Sequence, residues 1–175
     1  MVTKGAPTVR RMPRISAFLP LAAVVLAACD PAPASRPDTA PVTAAFFAED
    51  PALLADAARA ACNRPGETFH QPQKGVSQCR LLMDPETTAA VILNFDGAID
   101  DLPQLVVSMV QSKAADGYLV TGCAFLKVPR KDGRISRVVQ RDRAIDFRLR
   151  EMLDSVGGRP VRDVPAEIAE RCFSL

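Results

Sequence analysis

Two Asp-Gly pairs, Asp116-Gly117 and Asp132-Gly133, each stand between runs of β-forming residues. Asp-Gly is a strong hairpin signal, because a tight two-residue turn needs positive φ and glycine adopts it without steric cost. Such turns fix strand pairing, and pairing decides which face of a sheet each side chain takes. A two-residue loop at Asp116-Gly117 sets Leu105 opposite Val128, Val107 opposite Leu126 and Met109 opposite Ala124. These residues share one nearly all-apolar face, which must be covered. The other face carries Val106, Ser108, Val110, Thr121, Cys123, Phe125 and Lys127, a mixed set that needs only partial cover. At the second turn the same geometry sets Lys131 opposite Arg134, a like-charge pair softened by Asp132.

Helices are expected on either side of this sheet. Asp50-Pro51 reads as an N-cap with proline at the first helical position, and ALLADAARAAC continues to a stop at Asn63-Arg64-Pro65-Gly66. The short apolar runs CRLLM and AAVILNF read as strands. Ile145, Leu149, Met152, Leu153 and Val156 form one helical stripe, with Asp142 as N-cap and Gly157-Gly158 as stop. DVPAEIAERC suggests a last short helix with Val164, Ile168 and Cys172 on one side. The fold class is therefore α+β: an antiparallel meander of four to five strands, with an N-terminal helix and one or two C-terminal helices packed on it.

Upstream of the domain the composition changes twice. Lys4, Arg10, Arg11 and Arg14 precede an uncharged run, Ile15 to Ala28, of 14 residues. A bilayer-spanning helix needs about 20, so this run has the length of a secretory h-region. It follows Met1, or equally Met12, as the start. Leu26-Ala27-Ala28-Cys29 resembles the lipobox of bacterial lipoproteins. That resemblance implies cleavage before Cys29, a diacylglyceryl thioether on Cys29 and a mature protein held to a membrane and facing the periplasm. Asp30 resembles the inner-membrane retention signal of enteric bacteria. DPAPASRPDTAP follows, too poor in apolar residues for a core and rich enough in proline to extend as a spacer of roughly 40 Å. The expected organisation is a signal segment at 1–28, the lipidated cysteine and tether at 29–45, and one domain at 46–175.

That domain keeps four cysteines, Cys62, Cys79, Cys123 and Cys172, with no CxxC pair. An even number in an exported domain argues for two disulfides rather than a zinc ribbon or thioredoxin-like site. Cys62 and Cys79 bracket a polar segment with little means of holding its own shape, so they are paired here, leaving Cys123 with Cys172.

Candidate sites are few. His70, the only histidine, lies in the polar segment between Cys62 and Cys79. NFDGAIDD supplies Asn94, Asp96, Asp100 and Asp101, but Ala98 breaks the calcium-loop pattern and no distal glutamate follows. No GxSxG, HExxH or phosphate-binding glycine loop occurs, and no cofactor or metal is implied. Removing the four cations of residues 1–28 leaves 18 Lys+Arg of the original 22 against 20 Asp+Glu, yet Lys127 to Arg162 hold 11 basic and five acidic groups. Arg130, Lys131, Arg134, Arg137 and Arg141 are the candidate anion-binding residues of that stretch. They serve either to guard a sheet edge or to meet an anionic partner. Export argues against nucleic acid. The favoured expectation is a non-catalytic membrane-anchored domain binding a protein or envelope component. The alternatives are a binder of anionic lipid or wall polymer through the basic hairpin, and a hydrolase using Asp96, Asp100 and Asp101.

Overall fold

The computed structural model describes residues 42–174. The apolar run, Cys29 and Asp30 lie outside the described residues. Eleven elements follow in order: β1 (Thr43–Phe47), α1 (Leu54–Ala61), β2 (Glu67–Gln73), β3 (Val76–Leu82), α2 (Pro85–Phe95), β4 (Gln104–Ala114), β5 (Gly117–Pro129), β6 (Ile135–Gln140), α3 (Arg143–Ser155), β7 (Arg159–Val161) and α4 (Ala166–Ser174). The class is α+β, but the antiparallel sheet has seven strands and is not a simple meander. Its order is β2-β3-β4-β5-β1-β7, with β6 also on β5. Because β4 occupies one edge of β5, β1 and β6 lie end to end along the other, pairing with residues 118–122 and 124–129. The domain therefore begins inside the expected tether. Thr43, Ala44 and Ala45 are buried in the sheet.

The β4–β5 hairpin turns at Ala115-Asp116, one residue earlier than expected, which shifts the pairing by two. Ala114 pairs with Gly117, so Leu105 faces Leu126, Val107 faces Ala124 and Met109 faces Gly122. A shift of two preserves the face of every side chain, so the apolar face survives with different partners. Gly117 serves another purpose: a Cβ there would collide with the Phe47 carbonyl oxygen and lie 2.8 Å from the Phe46 ring. Glycine is what lets β1 approach. The second hairpin has a three-residue loop, Lys131 to Gly133, closed by Arg130 N–H to the Arg134 carbonyl at 2.8 Å. Gly133 takes φ +79° in it, the arrangement expected of a three-residue turn with a left-handed last residue. Arg130, not Lys131, is thus opposite Arg134.

Two helix readings change. AAVILNF is the body of α2 rather than a strand. Asp84 caps it, accepting from Thr87 N–H at 2.9 Å and from Thr87 Oγ1–H at 2.7 Å, with Pro85 at the first position. Asp50 does not cap α1, which starts at Leu54 without a side-chain cap. Its carboxylate accepts instead from Gln111 Nε2 at 3.1 Å. The polar segment between Cys62 and Cys79 also has more structure than expected. It forms most of a β2–β3 hairpin with Lys74-Gly75 at the tip and a register irregularity between His70 and Gln73. Pro72 in that irregularity fits an edge strand, where one row of N–H groups has no ladder partner to lose.

Each face of the sheet has its own core. On the face of Val107 and Met109, α1 and α3 bury Ala45, Phe47, Leu54, Ala58, Val120, Leu149 and Leu153, with Ile145, Met152 and Val156 packed against them. This is the predicted α3 stripe. α3 seats closely because Gly122 lies beneath Leu149, where a Cβ would come within 3.1 Å of its methyls. Farther along the same face, Val91 of α2 covers Leu126 and Val128. On the opposite face α4 crosses Val76, Val106, Val110, Cys123 and Phe125, bringing Phe173 edge-on to Phe125 at 6.2 Å between ring centroids.

Candidate functional site

The four cysteines pair as expected. Cys62 at the end of α1 bonds Cys79 of β3, with Cα atoms 5.6 Å apart, and Cys123 of β5 bonds Cys172 of α4, with Cα atoms 6.1 Å apart. The first bridge stands at the edge of a cleft. Leu81, Leu105 and Val107 carry the apolar sheet face beyond the point where α1 and α3 close over Met109, and no helix covers them fully. Ala58 and Cys62 of α1 form one wall, Ile145, Leu149 and Met152 of α3 the other, around about 350 Å³. That volume lies in the range of small-ligand sites. Two methionines, Met109 and Met152, line it with flexible, polarisable side chains suited to occupants of irregular shape.

Charged groups stand at the rim, and Ser77, paired with Met109, adds a buried hydroxyl to the floor. Glu67 on β2 has a side chain only 5% exposed, held by Arg64 Nε at 3.1 Å and by Arg64 N–H at 3.0 Å. This carboxylate and the two sulfurs lie within 4.8 Å of one another. The sulfurs are consumed by their mutual bond, and thiolate is the form that ligates metal, so the trio holds no ion in this state. Asp142 also reaches the rim, but its carboxylate caps α3 through Ala144 N–H at 2.8 Å and Ile145 N–H at 3.3 Å. Arg148 also lines the cleft, and no ion pair among the described residues includes it. A second cleft of about 310 Å³ lies beside the Lys74-Gly75 turn, lined by Asp50, Gln71, Lys74 and Gln111. It is the more polar of the two.

The other candidate residues are brought together in an unexpected way. The NFDGAIDD loop packs against the tip of the basic hairpin. Gly97 bridges to Arg130, Ala98 N–H donates to the Pro129 carbonyl at 2.7 Å, and Asp96 meets Lys131 Nζ at 3.1 Å and Arg130 at 3.6 Å. Asp132 takes Arg134 in a close ion pair of 2.6 Å and lies 3.8 Å from Arg130. Hydrogen bonds from the Arg134 side chain and backbone hold the Asp132 carboxyl below its ordinary value, and the same pairing raises Arg134. Acidic loop and basic tip thus neutralise each other. Arg137 is exposed on β6, and Arg141, between β6 and α3, is engaged within the molecule. His70 sits half-buried in β2 opposite Gln78 and lines neither cleft, nor do Asp96, Asp100 or Asp101. Among the described residues no helix is long and apolar enough to cross a membrane.

Sequence reasoning missed the α1–α3 cleft. Its one signal was Leu81 and Leu105 continuing the apolar face past the reach of the helical stripes. Comparison with protein-family models, curated proteins and solved structures returned no match.

Proposed function

We propose that the chain is a lipid-anchored, non-catalytic domain of the bacterial envelope that binds an apolar part of a partner in the α1–α3 cleft. The observation that carries this reading is the half-covered strip of Leu81, Leu105 and Val107 on the sheet, stapled at its edge by Cys62–Cys79. A mostly apolar recess stabilises bound apolar surface by about 25 cal/mol per Å² removed from water. The anchor part rests on the LAAC motif, and placing the carboxylates of NFDGAIDD outside both clefts favours binding over hydrolysis.

A photo-crosslinking amino acid at Arg148 tests the cleft in intact cells, with the same group at Glu170 of α4 as comparison. The expected result is an adduct from position 148 that is absent from 170 and lost when Val107→Lys places an ammonium on the floor. No adduct at 148, or one unaffected by Val107→Lys, overturns the cleft reading. The anchor is tested separately. Cys29→Ser should release the protein from membranes, and unchanged membrane partition would refute lipidation.

A further inference from the structure

The strand β6 pairs only with β5, and on the face shared with Phe125 it projects Ile135, Arg137 and Val139. Ile135 is 46% exposed and Val139 43%, although both are β-branched residues of a regular strand. Arg137 stands directly opposite Lys127. Two cations facing each other across a ladder are destabilising, and at the hairpin tip this chain relieves such a pair with Asp132 and Asp96. Here no acid does so: neither Lys127 nor Arg137 has an ion-pair partner among the described residues. The surface thus alternates apolar and cationic side chains in a flat row, with its charge left for something outside the molecule.

Position names the partner. β6 ends with Gln140 opposite Ala124, and β1 begins with Thr43 opposite Gly122, on the same edge of β5. The chain therefore enters the fold at Val42, beside the end of β6. The upstream segment that leads to Cys29 is 12 residues, 30–41, so an anchor at Cys29 would hold this row within roughly 40 Å of the bilayer. We propose that the β5–β6 face carrying Lys127, Ile135, Arg137 and Val139 rests on an anionic phospholipid surface. The cations meet headgroup phosphates, and Ile135 and Val139 enter the interface between them. This surface lies on the sheet face opposite the α1–α3 cleft, which stays open to its own partner.

The described elements, both disulfides and the described core clusters lie within residues 42–174, so residues 30–175 keep every contact of the described fold. This soluble form, exported so that its disulfides form, is sedimented with phosphatidylglycerol vesicles and with phosphatidylcholine vesicles. The expected result is binding to the first alone, weakening as salt rises. Lys127→Gln with Arg137→Gln should reduce it roughly 30-fold, at about fivefold per basic residue near an anionic surface. Ile135→Ser with Val139→Ser should weaken it at all salt concentrations, and Arg130→Gln with Arg134→Gln should change it little. Equal binding to both vesicle types overturns the proposal. So does unchanged binding of the Lys127/Arg137 variant, or a variant that instead self-associates through an unguarded β6 edge. Because the anchor is absent from the assay, failure of lipidation at Cys29 leaves the result unaffected.

Discussion

Ser108 shows what a single residue reveals that a pattern does not. It sits on the α4 side of β4, between Gln78 and Cys123 on neighbouring strands, fully buried, and its hydroxyl has no hydrogen-bond partner among the described residues. A buried hydroxyl without a partner costs about 1–3 kcal/mol in lost hydration. Ser108→Ala should therefore hold stability or raise it by up to about 1 kcal/mol in urea unfolding. A loss of more than about 1 kcal/mol would mean that the hydroxyl is bonded after all. Asp96 teaches the complementary lesson. Its charge was plain in the sequence, and so were those of Arg130 and Lys131. What the sequence withheld was that α2 ends there in a left-handed turn, φ +53°, aiming the carboxylate at the hairpin. Charge is local, but neutralisation depends on tertiary approach.

At the scale of elements, the instructive contrast is between Asp50-Pro51 and Asp84-Pro85. Both dipeptides carry the same helix-start signal, yet only the second is used. Asp50 is drawn off by Gln111, and α1 begins three residues later on Leu54. Beyond Asp84, the apolar run AAVILNF reads as a strand, and the helix start ahead of it goes unnoticed. Apolar runs this short do not separate a strand from a half-buried helix by periodicity alone, and α2 buries only Thr88 and Val91. The Asp84 carboxyl is held below its ordinary 3.8, first by the Thr87 hydroxyl and then by the Thr87 N–H. A depressed pKa means that the cap's electrostatic contribution is complete above pH 3.8 and fades as pH falls through the lowered value. Asp84→Asn keeps an accepting oxygen but does not titrate. Thermal unfolding of the variant from pH 7 to pH 2 should show a smaller acid loss than the wild type. Parallel acid curves would assign that loss to other carboxylates.

For the whole molecule, the readable part was the middle. The β4–β5 pair, the α3 stripe and both disulfides stood out because each rests on strong local chemistry or on the even count of cysteines. β1 and β7 did not. TAAFF is buried on both faces and lacks alternation, and RPV is three residues long; neither resembles a strand until β5 supplies its ladder. The two bridges contribute unequally. With sequence separations of 17 and 49, chain entropy assigns about 3 kcal/mol to Cys62–Cys79 and about 4 kcal/mol to Cys123–Cys172. Cys123→Ala with Cys172→Ala should thus destabilise more than the other double variant. It should also expose Phe125 to a hydrophobic dye before global unfolding, as α4 lifts from the sheet. A larger loss from the Cys62/Cys79 variant would reverse that ranking. The placement of β1 between β5 and β7 has a temporal consequence. A chain synthesised from its N-terminus delivers TAAFF first, but the strands on both its flanks arrive only with residues 118–122 and 159–161. Until then β1 waits with two open edges. Closure of the sheet must await residues 159–161 and needs loop closure over most of the domain. Until it happens both ladder edges of β1 are open to strands of other chains.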